Sequence, residues 1–391
     1  MRIIVLATKP LDVRSGDALR FVNVAQHLRP AHRFELLCFS KPGQVLDSQS
    51  AAVFERASLV PCPSEVERSW PARLSSALSP GHFMPRSEDM RRAIARVLAA
   101  EPCDLIFDIG GLMLQNLPPS ATSPPVVVDS IDEPGITLDR ALRRAQWHER
   151  PRLWRTKWLY GRVNGLISAR VQANVYSSDI DAAYYARRFP RSRVESIPNG
   201  VDVEHYCPGA SPPDPNLIAF EGNMGFAPNV DAARHLATEI MPLLWRSRPS
   251  VRLQLIGRDP AAEVRALASE RVEVTGTVAD VREQMRRASV FVCPMRMGAG
   301  IKNKVLQALA LGLPIVATSE STGGLEVVDG EHALIADDPA SFAAAVTRLL
   351  ESAELRAKLG SNSRRLAVTK YTWKIQALRF GQLFRSVAVT R

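Results

Sequence analysis

The chain has 391 residues, more than a single hydrophobic core usually supports, so the sequence predicts two domains. Hydrophobic residues make up 46% of the chain and charged residues 23%, which excludes the disordered and fibrous classes of protein. The formal net charge of +10 predicts an anionic partner, and a phosphorylated substrate, an anionic membrane surface and nucleic acid are all compatible with it.

Short β-branched runs alternate with helical patterns through the first half of the chain. This alternation predicts a parallel sheet covered by helices on both faces. The proline-dense stretch CPGASPPDPN, residues 207–216, predicts a stiff linker, so we expect the first domain to span residues 1–206. The strands predicted in this domain are Arg2–Ala7, Phe34–Ser40, Leu105–Ile109, Val126–Ile131, Asn174–Ser177 and Val194–Pro198.

A basic and aromatic segment, residues 140–162, lies in the first domain. It carries eight Lys or Arg residues together with Trp147, Trp154 and Trp158, which fall near one helical face. A basic helix with aromatic side chains can lie on an anionic membrane surface. The alternative is a solvated helix whose tryptophans pack on the first domain, with Pro151 splitting the helix.

The same alternation restarts after the linker and predicts a second doubly wound domain over residues 217–373. Beyond Pro339 helices follow one another, and the last, residues 374–391, is long enough to pack back on the first domain. Two such α/β domains facing each other form a cleft at the carboxyl ends of their strands, where sheets of this class bind ligands. The strands predicted in the second domain are Leu217–Phe220, Val251–Ile256, Val272–Thr275, Val290–Cys293, Ile315–Thr318 and Ala333–Ala336.

The apolar stretches and the cysteines indicate a cytoplasmic protein. The run Ile3–Ala7 is too short for the core of a signal peptide. Val305–Ser319 falls short of the roughly 20 residues that a membrane-spanning helix needs. The five cysteines are scattered without metal-ligand spacing, which predicts reduced thiols and no metal site.

The stretch GAGIKNKVLQALALGLP, residues 298–314, gives the main chemical signal. The run 288–294 predicts a buried strand, so Gly298 and Gly300 form a turn beyond its carboxyl end and a helix begins near Ile301. The amino terminus of a helix favours an anion, because its first N–H groups are free and its dipole is positive there. Lys302 and Lys304 add two ammonium groups, and together these residues could hold a diphosphate.

This predicted helix has an apolar and a polar face, since successive residues turn by ~100°. Gln307 lies on the polar face, one turn further along the helix, where its side chain could bind a hydroxyl next to the diphosphate. The alternative is an ordinary buried helix whose two lysines reach solvent. The apolar arc contains Ile301, Val305, Leu306 and Leu309, and the polar arc contains Asn303, Lys304 and Gln307.

Four motifs of the second half carry a family resemblance. They are IPNGVDVEHYCP (197–208), NLIAFEGNMGFAPNVDAARHLATEIMPLL (216–244), GIKNKVLQALALGLPIVAT (300–318) and GLEVVDGEHALIADDPASFAAAV (324–346). In this order they resemble bacterial family-four glycosyltransferases of the GT-B fold, in the branch associated with exopolysaccharide and surface-glycan biosynthesis. The resemblance implies two Rossmann-like domains and a retaining, metal-independent hexosyltransferase that uses a nucleotide-diphosphate sugar and no cofactor.

The chain departs from the broad family at residues that handle charge. The family's pair of glutamates, eight positions apart, falls here on Ala299 and Gln307. The Gln307 amide can still bond a ribose hydroxyl, without charge assistance. The family's Arg and Lys after the first strand of the second domain are missing, since EGNMGFAPN carries no cation. We therefore predict Lys302 and Lys304 as the catalytic phosphate cations.

The resemblance implies further donor-binding residues in both domains. Gly16 would offer backbone N–H, and Arg20 could reach phosphate or acceptor. Asn229 is equally consistent with a helix cap, and the turn VTGTVAD, residues 274–280, with a purely structural turn. The predicted donor-binding set is Gly16, Arg20, Gly222, Asn223, Met224, Asn229, Thr277, Val278, Gly298, Gly300, Ile301, Asn303 and Gln307, with no metal ligand.

The predicted partners are a nucleotide-diphosphate sugar, an acceptor that is a glycan, a lipid-linked molecule or a small molecule, and an anionic membrane surface at residues 140–162. A sugar-nucleotide epimerase of the same plan is an alternative, although no set of acid and base side chains stands out. A non-catalytic protein that binds sugar nucleotides is a second alternative, because the family's glutamate pair is missing from this chain. Nucleic-acid binding is not expected, since the basic residues are dispersed outside one segment.

Overall fold

The computed structural model describes residues 1–62, 86–119, 123–298 and 300–388. The chain forms two compact units. Unit 1 comprises Met1–Pro198 together with Trp373–Arg391, and unit 2 comprises Asn199–Thr372. The predicted class, two doubly wound α/β domains, is confirmed.

Unit 1 is built on a seven-stranded parallel sheet of order β3-β2-β1-β4-β5-β6-β7. Its strands are β1 Arg2–Ala7, β2 Arg33–Ser40, β3 Arg56–Pro61, β4 Leu105–Ile109, β5 Val126–Ile131, β6 Ala173–Tyr176 and β7 Val194–Ser196. Its helices before unit 2 are α1 Gly16–Leu28, α2 Ser48–Ala51, α3 Glu88–Ala100, α4 Pro134–Arg144, α5 Arg150–Arg170 and α6 Asp179–Arg188, with a 3₁₀ turn at Leu114–Asn116. All six residues of β1 are buried, as expected for a central strand covered on both faces.

The carboxyl-terminal helix belongs to unit 1. This helix, α15 (Trp373–Ala388), follows all of unit 2 in the sequence but buries its apolar face in the core of unit 1. The ring centroid of Phe107 in β4 lies 5.9 Å from that of Phe380 and 5.5 Å from that of Phe384. The last three residues of the predicted segment 374–391 lie outside the described part of the chain.

Unit 2 is built on a six-stranded parallel sheet of order β10-β9-β8-β11-β12-β13. The order reverses between β8 and β11, and this switch point opens the crevice where doubly wound sheets bind ligands. The strands are β8 Asp214–Glu221, β9 Arg252–Ile256, β10 Val272–Gly276, β11 Ala288–Cys293, β12 Ile315–Ala317 and β13 Leu334–Ile335. The helices are α7 Ala227–His235, a π-helix Leu236–Ile240, α8 Met241–Ser247, α9 Ala262–Arg265, α10 Val281–Arg287, α11 Asn303–Ala310, α12 Ser319–Thr322, α13 Pro339–Glu351 and α14 Ala353–Lys370.

The boundary between the units differs from the predicted linker. Val201 is buried in the core of unit 2 and its N–H donates to the carbonyl of Tyr371, so unit 2 begins at Asn199. The proline-dense stretch 207–216 lies inside unit 2 and runs into β8, which begins at Asp214. Its first residue is tied to α10, since the guanidinium of Arg286 donates to the carbonyl of Cys207 at 2.9 Å.

No helix in the described ranges is long and apolar enough to span a membrane. The five cysteines are free thiols, and Cys38, Cys103 and Cys293 are buried. Burial raises the pKa of the Cys38 thiol to about 12.

Candidate functional site

A glycine turn follows β11 at the carboxyl edge of the second sheet. Gly298 has φ 128° and Gly300 has φ 64°, so both occupy backbone conformations that suit glycine. The Lys302 ammonium donates to the carbonyl of Gly300 at 2.8 Å and lies 3.9 Å from Glu320 Oε1. Lys302 is only 9% exposed, so its charge is held against this turn. Ala299 lies outside the described residues.

Helix α11 begins directly after this turn. Lys302 is its N-cap residue with an extended backbone, and the first N–H groups of the helix have no partner within it. The predicted division into two faces is right. Val305, Leu306 and Leu309 are buried with Ile301 in the core of unit 2, whereas Asn303, Lys304 and Gln307 are half-buried.

Lys304 joins α11 to α7 across the end of β8. Its ammonium donates to Asn229 Oδ1 at 2.8 Å, and Asn229 Nδ2 donates to the carbonyl of Asn223 at 2.9 Å. The same ammonium lies 5.3 Å from the ring centroid of Phe220, within the range of a cation–π contact. Three predicted residues from two of the four motifs therefore meet beside the switch point of the sheet.

Gly222 is required where β8 ends. A Cβ at Gly222 would lie 2.7 Å from Asn229 Nδ2 and 3.1 Å from Lys304 Nζ. A Cβ at Gly257 would lie 1.7 Å from the Gly222 carbonyl oxygen. The backbones after β8 and β9 therefore approach each other closely. Because residues 222 and 257 are glycines, no side chain at these positions covers the carboxyl ends of the two strands.

Sequence reasoning missed Tyr206, which contacts Gln307, and Glu221, which lies near Tyr206. Gln307 Nε2 donates to the hydroxyl of Tyr206 at 3.0 Å. Burial raises the pKa of Tyr206 to about 12, and the nearby Glu221 carboxylate adds to this shift. Burial also raises the pKa of Glu221, while the Lys304 ammonium opposes this change. A charged residue at the end of an otherwise apolar strand was the sequence signal for Glu221.

Further contacts fix the first turn of α11 and the loop before it. Asn199 Nδ2 donates to Asn303 Oδ1 at 2.9 Å. Arg296 makes a bidentate pair with Asp231 of α7, at 2.7 and 3.1 Å, and its guanidinium lies 3.6 Å from Glu239. The chain before the glycine turn is thus anchored to the helix that carries Asn229.

The other predicted donor-binding residues make none of the contacts described above. Gly16 is the first residue of α1 in unit 1. Thr277 and Val278 follow β10, which is two strands away from β8 in the sheet. Met224 is fully buried in the core of unit 2, so its side chain serves packing, and its backbone N–H donates to the carbonyl of Arg258 at 2.9 Å.

The prediction that Arg20 binds the donor is wrong, because Arg20 is a core residue of unit 1. It is 1% exposed, and its Nε donates to Asp129 Oδ2 at 2.8 Å. Another guanidinium nitrogen donates to the carbonyl of Ile197 at 2.7 Å, and Phe380 of α15 covers the group at 5.1 Å. Arg20 therefore holds α1, β5 and α15 together and cannot reach a ligand.

A second carboxyl is buried near the end of β4 in unit 1. Asp108 is fully buried, and its Oδ2 accepts a hydrogen bond from the N–H of Met113 at 3.0 Å. Its Oδ1 has no hydrogen-bond partner among the described residues. Burial raises the pKa of Asp108 well above its usual value. The part of the chain that the structure describes holds no group of three or more His, Cys, Asp or Glu side chains suited to a metal ion.

The basic and aromatic segment 140–162 forms parts of two helices. Helix α4 ends at Arg144 and α5 begins at Arg150, with Pro151 in the first turn of α5. Trp147 lies between the helices and is 83% exposed, and Trp154 and Trp158 of α5 are 59% and 46% exposed. The alternative in which these tryptophans pack on the first domain is therefore wrong.

Residues 215–352 match the family model described as Glycosyl transferases group 1. A phosphatidyl-myo-inositol mannosyltransferase of Mycobacterium leprae is 25% identical over 231 residues, which cover 56% of this chain and 61% of that protein. The chain spans about 60% of the length of the curated relatives it matches.

Two solved structures match along almost the whole chain. The Anabaena protein Alr3699/HepE in complex with UDP has a TM-score of 0.68 and 14% identity, and the match covers 99% of this chain and 100% of that one. Sucrose-phosphate synthase of Thermosynechococcus elongatus has a TM-score of 0.72 and 17% identity, with all of both chains covered. At these identities the likeness shows a shared fold.

Proposed function

We infer, from the Glycosyl transferases group 1 domain at residues 215–352, that the protein is a glycosyltransferase that moves a sugar from a nucleotide-diphosphate donor to an acceptor. One observation in particular supports the inference. Two ammonium groups, Lys302 and Lys304, lie at the amino terminus of α11, next to the switch point of the sheet. Cations and free N–H groups in this position suit a diphosphate.

Transfer breaks the bond between the anomeric carbon and the terminal phosphate oxygen, which keeps the electron pair. The acceptor hydroxyl forms the new bond on the same face of the sugar, and its proton passes to the departing phosphate, so the configuration is retained. Negative charge therefore grows on the diphosphate as the sugar gains positive charge. Lys302, Lys304 and the first N–H groups of α11 would stabilise that charge, which lowers the barrier.

The transferred sugar and the ribose of the donor would lie against polar side chains near the two lysines. Asn223 and Asn229, linked by a hydrogen bond of 2.9 Å, are candidates for the sugar or phosphate oxygens. Gln307 offers an amide for a ribose hydroxyl. The Anabaena structure of similar fold contains UDP, which supports a nucleoside diphosphate as the common part of the ligand.

A thermal-shift screen with UDP-, GDP- and dTDP-sugars tests this function. A ligand that binds only the folded chain raises the melting temperature, so the donor is identified by the largest shift. Transfer is then measured with glycan, lipid-linked and small-molecule acceptors. Absence of any shift with all three nucleotide classes would refute the proposal.

The same experiments separate two other functions. An epimerase would convert the bound nucleotide sugar into its epimer in the absence of an acceptor. A non-catalytic binding protein would give a thermal shift, but neither transfer nor epimerisation. The ammonium pair at the leaving-group position favours transfer, because binding alone does not require charge stabilisation of a departing diphosphate.

We further propose that residues 140–162 bind an anionic membrane surface and bring the enzyme to lipid-linked acceptors in polysaccharide biosynthesis, at the inner face of the membrane. The exposed indoles of Trp147, Trp154 and Trp158 suit the headgroup region. The Arg162 guanidinium lies 5.1 Å from the Trp158 ring, so cation and aromatic ring are presented together. Each Lys or Arg near an anionic leaflet contributes about 1 kcal/mol.

A further inference from the structure

Glu221 is the last residue of β8, the strand at the switch point of the second sheet. It is followed directly by Gly222, where the backbone approaches the Asn229 and Lys304 side chains. A carboxylate is therefore present within the predicted donor site, at a position that the four motifs do not mark as functional.

The register of the sheet fixes the direction of this side chain. Ala219 pairs with Gln254, whose amide donates to Gln284 Oε1 of α10 at 3.0 Å, so side chains at these two positions point toward α10. Glu221 lies two residues after Ala219 and points to the same face. Tyr206, the partner of the Gln307 amide, is close enough on this face for Glu221 to raise its pKa.

The Glu221 carboxylate has few polar partners within the described part of the protein. Among the described residues, burial and the Lys304 ammonium are the influences on its pKa, and no hydrogen bond to its oxygens contributes. The described cation that acts on the Glu221 pKa is Lys304, whose ammonium donates to Asn229. A half-buried carboxylate without a protein donor can exchange its solvent hydrogen bonds for those of hydroxyl groups on a ligand.

We propose that Glu221 binds the vicinal hydroxyls of the donor's ribose and supplies the negative charge that Gln307 lacks. The inference rests on the proposed function, since it assumes a nucleoside diphosphate on Lys302 and Lys304. The ribose is the hydroxyl-bearing group attached to the diphosphate on the nucleoside side, and a carboxylate accepts two hydrogen bonds from a cis-diol. Glu221 and Gln307 approach this diol together, with Tyr206 fixing the Gln307 amide.

Calorimetry with paired ribose and deoxyribose nucleotides tests this role. UDP, GDP and ADP are each titrated beside their 2′-deoxy counterparts, into the wild type, Glu221→Gln and the exposed control Glu263→Gln. We expect the wild type and the control to prefer the best ribonucleotide over its 2′-deoxy form by about tenfold or more, as for a charge-assisted hydrogen bond. In Glu221→Gln that preference falls to about threefold, because only neutral hydrogen bonds such as that of Gln307 remain, and Glu221→Asp lies between.

The outcomes separate this inference from the proposed function. If no nucleoside diphosphate binds the wild type, the proposed function fails and the ribose role fails with it. If dTDP binds and the ribonucleotides do not, only the ribose role is overturned, because dTDP has no vicinal diol. If the wild type binds and Glu221→Gln keeps the full ribose preference, only the ribose role is overturned. A variant that keeps this preference but loses affinity for the nucleotide sugar relative to the free nucleotide also overturns it, in favour of contact with the transferred sugar.

Discussion

Lys304 Nζ lies 2.8 Å from Asn229 Oδ1, and this hydrogen bond connects the first turn of α11 to α7 in front of β8. The bond holds a long, flexible side chain in one direction before any ligand arrives. Its ammonium still has two further protons for phosphate oxygens. A preorganised cation of this kind costs little reorganisation when charge develops on a leaving group.

We expect Lys304→Ala to lower the rate of sugar transfer by about two orders of magnitude, the effect typical of removing one electrostatic donor from a site. The rate is measured on purified, folded variant with the donor found by the thermal-shift screen. Lys358→Ala, an exposed lysine of α14 in the same unit, serves as the control. Near-normal transfer by Lys304→Ala would remove this lysine from the catalytic role.

We expect Gln307→Glu to preserve donor binding, because a carboxylate can accept the ribose hydrogen bonds that the amide accepts. The variant loses the amide donor to the Tyr206 hydroxyl, which can instead donate to the new carboxylate. Calorimetry with the nucleoside diphosphate measures the affinity. A clear loss of nucleotide affinity would argue against a ribose role for residue 307.

We expect Arg20→Leu to destabilise unit 1 without changing nucleotide affinity. The substitution leaves Asp129 buried without its cation, a change that costs about 3–5 kcal/mol. Urea denaturation measures the loss, and Arg14→Leu, an exposed ion-paired arginine, is the control. Adding Asp129→Leu should restore much of the stability, since an apolar pair avoids the unpaired charge. Lost nucleotide binding in a folded Arg20→Leu variant would contradict the structural role.

We expect Asp108→Asn to stabilise the protein at pH 7 but not near pH 4. The folded-state pKa of Asp108 is raised, so the folded chain keeps a proton that the unfolded chain releases above its ordinary value of about 3.9. Stability from this group therefore falls by about 1.4 kcal/mol per pH unit as pH rises from there toward the folded pKa. Denaturation from pH 4 to 7 measures the slope. Equal slopes in both proteins would show that Asp108 ionises normally.

We expect the triple variant Trp147→Ala, Trp154→Ala and Trp158→Ala to lose binding to vesicles of phosphatidylglycerol. The exposed indoles supply the interfacial part of the affinity and the basic residues the electrostatic part, so wild-type binding should also weaken with salt. Co-sedimentation measures both effects. Phe226→Ala removes an equally exposed aromatic from unit 2 and should bind as the wild type. Failure of the wild type to bind these vesicles would end the membrane proposal.

The sequence predicted strands best where an apolar run has sharp polar limits. The bounds of β1, β4 and β5 agree with the predicted Arg2–Ala7, Leu105–Ile109 and Val126–Ile131. The strand β3, Arg56–Pro61, was missed because it is an edge strand with five of its six residues exposed, so the alternation that marks a half-buried strand is absent.

The candidate site was predictable only in part, because some contacts depend on tertiary pairing. The lysines at 302 and 304 follow from local spacing along one helix. The place of Glu221 beside Tyr206 depends on the register between β8 and β9, which one sequence does not reveal. Arg20 resembled a ligand-binding cation for the same reason, since its partner Asp129 is 109 residues away.

The return of α15 to unit 1 sets the order in which the protein can mature during translation. Phe380 and Phe384, which pack on Phe107 of β4, leave the ribosome after every residue of unit 2. The surface of unit 1 that α15 covers therefore stays exposed while unit 2 is synthesised. Nascent chains with exposed apolar surface are prone to aggregate during such a period. A premature stop codon before residue 373 would leave that face permanently open and direct the product to proteolysis.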